Sequence, residues 1–109
     1  MSIRNGKYNK DLSNEEKDTI YDHMHLNNST KYNILKASEE LLELALALTQ
    51  MMSKPGKINE QEIINEMGDV KIRLEILERI FPTELIDKRI NNKLNQFQRF
   101  IETGKHKNI

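Results

Sequence analysis

Two groups of acidic residues have the spacing of metal ligands on helices. Glu39, Glu40 and Glu43 form the first group, and Glu66 and Asp69 form the second. Residues three apart share a helix face, so Glu40 and Glu43 face the same way, as do Glu66 and Asp69. Carboxylates gathered in an apolar setting repel one another and lose solvation, and a hard divalent cation such as Mg²⁺ relieves both costs. One interpretation is therefore a Mg²⁺ site with hydrolytic phosphoryl chemistry.

The second interpretation is an ordinary charged helix surface. Lys36 has the spacing to pair with Glu39 or Glu40, and Arg73 has the spacing to pair with Asp69. Against it, the acids lie beside small and apolar residues, which is unusual for a purely solvated face. Spacing alone leaves both interpretations open. A di-iron bundle is excluded, because it needs Glu-x-x-His pairs and the acidic segments contain no histidine.

The elements that must position these acids are helices, because glycine and proline are rare and apolar residues recur every three or four positions. Ser13-Asn14-Glu15-Glu16 has the form of a capping box and predicts a first helix from residue 14, fading around residues 25–28. Ser29 or Thr30 is the predicted N-cap of a second helix that continues to about Met52. Pro55-Gly56 then makes a turn.

Two further helices are predicted after that turn. Asn59 is the expected cap of the third helix, with Glu62 in the capping-box position, and Phe81-Pro82 is expected to end it. Thr83 is the expected cap of a fourth helix that runs to about Glu102, before Gly104. The predicted fold class is all-α, a four-helix bundle with a central antiparallel hairpin of helices two and three.

This hairpin would bring the two acidic groups together. At 1.5 Å per residue, Glu43 and Glu40 lie roughly 13 and 18 Å from the turn end of helix two. Glu66 and Asp69 lie roughly 10 and 15 Å from the start of helix three. The two pairs are therefore expected at nearly the same height, where they would converge on one point.

Composition limits the partners. The chain has 109 residues, with 17 Lys+Arg balanced by 17 Asp+Glu, and no cysteine. This neutrality argues against a nucleic acid polymer as a partner, and the missing cysteine excludes disulfides and thiolate zinc sites. No apolar run is long enough for a membrane span, so a cytoplasmic location is expected. We predict a flexible arm over residues 1–12, one helical domain over 13–103 and a polar tail over 104–109.

The acidic groups resemble the signature of a known family. Glu39-Glu40-x-x-Glu43 followed by Glu66-x-x-Asp69 is similar to the EExxE…ExxD pattern of all-α nucleoside triphosphate pyrophosphohydrolases of the MazG type. The run Glu66-Met67-Gly68-Asp69-Val70 and the apolar residues after it resemble the third helix of that family. The resemblance covers about residues 31–77 well and the C-terminal helix more weakly.

The resemblance implies a function and a set of site residues. It implies Mg²⁺-dependent cleavage of a (d)NTP to the monophosphate and pyrophosphate, with Mn²⁺ as an alternative ion. Glu40, Glu43, Glu66 and Asp69 would be the metal ligands, and Glu39 would position or help to activate water. The fold would be MazG-like and completed by self-association, as a homodimer or homotetramer. A domain this small buries a modest core, which agrees with self-association.

The triphosphate also needs cations. Lys36 lies one turn before Glu40 and is a candidate phosphate contact. In the last helix, Asn91-x-Lys93 resembles a family segment that contacts phosphate, although Leu94 replaces its aromatic residue and Gln96 replaces an expected basic residue. Candidates for the nucleobase pocket stay open among Tyr8, Tyr21, Tyr32 and the asparagines. The alternative function is a catalytically weak or inactive helical dimer that senses nucleotides or binds a protein.

Overall fold

The computed structural model describes residues 10–104, all of whose regular elements are helices. The helices are α1 (Asn14–Leu26), α2 (Thr30–Ser53), α3 (Glu60–Leu77) and α4 (Thr83–Thr103). The chain divides into two compact units, Met1–Leu77 and Glu78–Ile109. Most of the predicted arm (residues 1–9) and tail (105–109) lies outside the described residues. The all-α prediction is confirmed for the described part of the chain.

The starts of the first three helices follow local capping chemistry. Ser13 Oγ accepts a hydrogen bond from the Glu16 amide at 3.0 Å, and the Glu16 carboxylate accepts one from the Ser13 amide at 2.9 Å, which completes the predicted capping box. Ser29, one of the two predicted caps, starts α2 by accepting from the Tyr32 amide. Asn59 Oδ1 accepts from the Glu62 amide at 2.9 Å at the start of α3.

Glu16 is also paired with Lys10. The ammonium group of Lys10 lies 2.6 Å from Glu16 Oε2. This hydrogen bond, followed by the one from the Ser13 backbone, lowers the pKa of Glu16 to about 2. The cap therefore stays ionised at neutral pH, with its negative charge at the positive end of the α1 dipole.

The prediction for the junction between α3 and α4 is wrong in two respects. The third helix ends at Leu77, not at Phe81-Pro82, and a turn over residues 78–80 follows. The carbonyl of Glu78 would need the residue 82 amide to continue the helix, but Pro82 has no N–H. Thr83 Oγ1 donates to that carbonyl instead, at 3.2 Å. Pro82 is consequently the N-cap of α4, and Thr83 is not.

The core of the first unit is the seam between α2 and α3. Helices α2 and α3 contact each other along their length, and α1 contacts α3. They form the predicted antiparallel hairpin around a turn in which Gly56 takes a φ of +88° that suits glycine. On α2, the residues of the seam are spaced alternately four and three positions apart: Asn33, Ala37, Glu40, Leu44 and Ala47. The residues of α3 in the seam have the same alternating spacing: Ile63, Glu66, Val70 and Arg73.

Among the described residues, Ile76 is the largest apolar side chain that is almost completely buried, with 1% of its surface exposed. We expect Ile76→Ala to lower the free energy of unfolding by about 2–5 kcal/mol, because it removes buried methylenes and leaves a cavity. Ile72 lies on the same helix but is 44% exposed, so Ile72→Ala is the matched control and should cost less than about 1 kcal/mol. Urea denaturation of both variants checks the difference, and equal losses would contradict it.

The second unit contains α4, a strongly amphipathic helix. Its apolar residues recur at helical spacing and many stay exposed, including Leu85, Ile90, Leu94 and Ile101. The helix ends at Gly104, which takes a φ of +75°, as predicted from the glycine. Within residues 10–104, no helix combines the length and apolar character that crossing a membrane requires.

Candidate metal centre

Three of the predicted ligands come together across the α2–α3 seam. Glu40 and Glu43 lie one turn apart on α2, and Glu66 lies on α3. Each offers a carboxylate oxygen, and these three oxygens all lie within 4.8 Å of one another. We call these three residues the acidic triad. The predicted convergence of the two acidic segments is therefore present in the fold.

The acidic triad is partly inside the protein. Glu40 and Glu66 are half-buried, whereas Glu43 is exposed. The Oε2 atoms of Glu40 and Glu66 are shielded from solvent, and neither has a hydrogen-bond partner among the described residues. A buried polar atom without a partner is costly, and such atoms in native proteins usually mark an ion, a water molecule or a functional group. Two such oxygens belong to the acidic triad, one from each helix.

The electrostatics of Glu40 are those of a crowded carboxyl group. Burial raises the pKa of Glu40, and repulsion by Glu43, a hydrogen bond shared with Glu43 and repulsion by Asp69 raise it further. Arg73 acts in the opposite direction. Without a cation, the fold therefore disfavours the ionised form of Glu40. A bound cation would reverse this preference.

The donor set fits a hard divalent ion. Mg²⁺ takes oxygen ligands at about 2.1 Å, so oxygens on opposite sides of the ion are about 4 Å apart. The separations in the acidic triad reach this range with small side-chain movements. Three carboxylates and no sulfur or imidazole ligand suit Mg²⁺ or Mn²⁺ better than softer metals. One side of the group is open, because Glu43 is exposed.

Comparisons with known proteins return no relative. No protein-family model matches the chain, and no curated protein or solved structure matches it. The MazG resemblance consequently stays a prediction carried by its motif residues.

Asp69, the fourth predicted ligand, is not in the acidic triad. It is exposed, and the adjacent Val70 occupies the buried position on the seam, with 6% of its surface exposed. Asp69 is near enough to repel the charge of Glu40. Asp69 thus lies beside the acidic triad, one helical turn from Glu66. Its side chain is shorter than those of the three glutamates.

Glu39 and Lys36 contact each other on the exposed side of α2. Lys36 Nζ lies 3.5 Å from Glu39 Oε2, and the Lys36 ammonium also lies 5.9 Å from the centre of the Tyr32 ring. Glu39 is exposed and is not in the acidic triad. The ordinary surface pairing considered for Lys36 is therefore present, at a place adjacent to Glu40.

The other predicted phosphate contacts belong to α4. Asn91 is exposed, and its carbonyl accepts a hydrogen bond from Asn95 Nδ2 at 3.0 Å. Lys93 is half-buried, and its ammonium lies 5.6 Å from the centre of the Phe97 ring. Lys93 also lines a cavity of about 330 Å³, whose other lining residues are Arg89, Asn92, Asn95, Gln96 and Arg99. This surface of α4 is basic and rich in amides.

Two polar residues of the seam were not singled out from the sequence, where Asn33 was only one of the asparagines and Arg73 only a possible partner of Asp69. Asn33 is 1% exposed, and its Oδ1 has no partner among the described residues; the same is true of the buried Arg73 Nη1. The sequence does contain a pattern that indicates burial of Asn33. It lies at helical spacing from Ala37, Leu44 and Ala47, all of which face the core. An Asn in such a stripe needs a hydrogen-bond partner.

Replacing Glu40 should stabilise the metal-free protein. We expect Glu40→Gln to raise the free energy of unfolding at pH 7 by about 1 kcal/mol, because it removes a partly buried charge that Glu43 and Asp69 repel. The raised pKa of Glu40 means that the folded state binds its proton more tightly than the unfolded state does. As the pH drops through that pKa, Glu40 becomes protonated and the wild type regains the stability that the charge had removed. The difference in unfolding free energy between the variant and the wild type therefore shrinks. Urea unfolding with EDTA at pH 7 and pH 5 measures both effects; a variant less stable at pH 7 would contradict them.

Proposed function

We propose that the protein is a Mg²⁺-dependent nucleoside triphosphate pyrophosphohydrolase, which cleaves (d)NTP to (d)NMP and pyrophosphate. The observation that carries the proposal is the convergence of the acidic triad, with two buried oxygens that lack a partner. The resemblance to the EExxE…ExxD signature supplies the reaction. The proposed activity is that of a hydrolase in nucleotide metabolism.

Each acidic residue has a distinct part in this proposal. Glu40, Glu43 and Glu66 bind the ion, and Asp69 joins them from the adjacent turn of α3. The ion, when bound, offsets phosphate charge and polarises the phosphorus that water attacks. Glu39 lies next to Glu40 on the solvent side, where its carboxylate accepts a proton from the attacking water. Water adds one oxygen to the nucleotide, and the broken phosphoanhydride bond releases pyrophosphate.

Cations outside the metal site bind the phosphates. Lys36 is adjacent to Glu39 and Glu40, and a triphosphate would compete with Glu39 for its ammonium. Lys93 lies near Arg89 and Arg99 on α4, a surface that attracts anions. Asn91 contributes its amide as a donor to a phosphate oxygen.

Self-association completes the proposed assembly, as a homodimer or homotetramer. Leu35, Leu42 and Leu46 share one face of α2, and they are 54%, 70% and 58% exposed. Ile64, Met67 and Leu74 form an exposed apolar face of α3. Exposed apolar faces of this kind are typical of an interface. Sedimentation velocity tests this part, and a monomer at micromolar concentration would contradict it.

A pyrophosphate-release assay tests the function directly. The full chain is incubated with Mg²⁺ and a panel of ribo- and deoxynucleoside triphosphates, with EDTA as the control. We expect one molecule of monophosphate for each pyrophosphate, and no release with EDTA. If every nucleotide binds without release, the enzyme proposal is wrong, and the nucleotide-sensing or protein-binding alternative is favoured.

A further inference from the structure

A second set of polar atoms without partners lies in the first unit and belongs to residues outside the acidic triad. Asn33 Oδ1, Arg73 Nη1 and His25 Nδ1 are shielded from solvent and make no hydrogen bond to any described residue. Asn33 is the most buried polar residue of the described chain. Its own Nδ2 donates to the Met24 carbonyl at 3.4 Å, which places the end of α1, with His25, beside the start of α2.

Asn33 and Arg73 lie at the same end of the α2–α3 hairpin. Asn33 precedes Glu40 by seven residues on α2, and Arg73 follows Glu66 by seven residues on α3. Seven residues correspond to roughly 10 Å along a helix. Because the two helices are antiparallel and Glu40 meets Glu66, both displacements have the same direction. Arg73 is also near enough to the acidic triad for its charge to act on Glu40.

The two unpartnered atoms have opposite hydrogen-bonding character. Asn33 Oδ1 accepts, and Arg73 Nη1 donates. A phosphate would satisfy Arg73 but would leave the Asn33 oxygen facing another acceptor. A neutral group with a donor next to an acceptor would satisfy both. The hydrogen-bonding edge of a nucleobase has this arrangement, and the offset of two helical turns from the acidic triad suits a nucleotide whose phosphates lie at the metal.

We propose that Asn33 and Arg73 bind the nucleobase of the substrate. Asn33 Oδ1 accepts from an amino or imide N–H of the base, and Arg73 Nη1 donates to a neighbouring ring nitrogen or carbonyl oxygen. This assignment deepens the proposed function and rests on it for the position of the phosphates. The pair distinguishes a nucleotide from a bare polyphosphate.

The test compares two ligands in two variants. Arg73→Met keeps the length of the side chain and removes its donors, and Asn33→Leu keeps the shape and removes the acceptor. Lys71→Met, an exposed cation two residues from Arg73 on α3, is the matched control. The ligands are nucleoside triphosphates, measured by KM, and inorganic tripolyphosphate, measured as a competitive inhibitor. We expect each site variant to raise KM for its nucleotide by about tenfold or more, since a pocket built to bond a polar group discriminates strongly. Tripolyphosphate inhibition and the Lys71→Met control should change by less than about twofold.

A second measurement separates this inference from the proposed function. The side-chain ¹⁵N–¹H resonances of Asn33 and Arg73 are followed in the wild type while nucleoside monophosphates are added with no metal. Base-dependent shifts support the inference even if no turnover is found, in which case the enzyme proposal alone fails. Turnover without such shifts overturns the inference and leaves the enzyme proposal intact. Equal weakening of nucleotide and tripolyphosphate would make Arg73 a phosphate ligand and overturn the inference, and unchanged KM values in both site variants would overturn it as well.

Discussion

Glu66→Gln is expected to abolish detectable turnover, because it removes the only carboxylate that α3 contributes to the acidic triad. Losing a residue that merely orients a metal ligand costs roughly 10- to 100-fold in affinity or activity, and loss of a ligand should exceed that. A glutamine keeps the volume and one oxygen but not the charge, so the fold should persist. Pyrophosphate release and Mn²⁺ binding, followed by electron paramagnetic resonance, measure the two losses separately.

Glu62→Gln is the matched control for this variant. Glu62 lies on α3 one turn before Glu66 and is exposed, and its backbone amide donates to Asn59 in the helix cap. Turnover and Mn²⁺ affinity should stay within about twofold of the wild type, as for a surface substitution away from special features. Full activity in Glu66→Gln would remove Glu66 from the metal site and, with it, the convergence on which the proposed function depends.

Asp69→Asn is expected to abolish turnover while leaving the helical fold largely intact. Asp69 is exposed and lies beside the acidic triad, so the substitution creates no cavity and leaves the three glutamates in place. We therefore expect the variant to retain most of its Mn²⁺ affinity, with the loss concentrated in kcat, because the proposed role of Asp69 is to complete the ligand set around the reacting phosphate. Circular dichroism, Mn²⁺ binding and pyrophosphate release distinguish these effects.

The comparison between Asp69→Asn and Glu66→Gln is informative by itself. If both variants lose metal and activity equally, Asp69 is a ligand of the same rank as the three glutamates. If Asp69→Asn retains undiminished turnover, Asp69 is not a metal ligand. The ExxD spacing would then reflect only an ordinary charged helix surface at Asp69. Glu60→Gln, an exposed acid at the start of α3, serves as the control for the loss of one negative charge.

The acidic triad explains why a hairpin core carries charge. Glu40 and Glu66 occupy positions where the period of the seam would otherwise place apolar side chains, between Ala37 and Leu44 on α2 and between Ile63 and Val70 on α3. Unpartnered carboxylates at such positions weaken the metal-free protein. A site that gives up stability in this way is typical of function, since substitutions that relieve the strain usually stabilise the fold and lose activity.

The starts of the first three helices and the convergence of three of the acids were predictable from the sequence. The caps of Ser13, Ser29 and Asn59 depend on hydrogen bonds between residues three positions apart, so local chemistry suffices. The meeting of Glu40, Glu43 and Glu66 followed from the 1.5 Å rise per residue and one Pro-Gly turn. The end of α3 was not predicted correctly. Pro82 has no N–H to donate to the Glu78 carbonyl, and Thr83 Oγ1 donates to that carbonyl instead.

The sequence by itself determined the four helices, the hairpin and the acidic residues that face each other across it, because each depends on period, caps and loop length. Only the tertiary structure decided which polar atoms keep a partner. It leaves Asn33 Oδ1 and Arg73 Nη1 unpaired, pairs Glu39 with Lys36, and places Asp69 outside the acidic triad. The physical reason is that burial and pairing are set by side chains from different helices at separations of a few ångströms, which no spacing along one helix specifies.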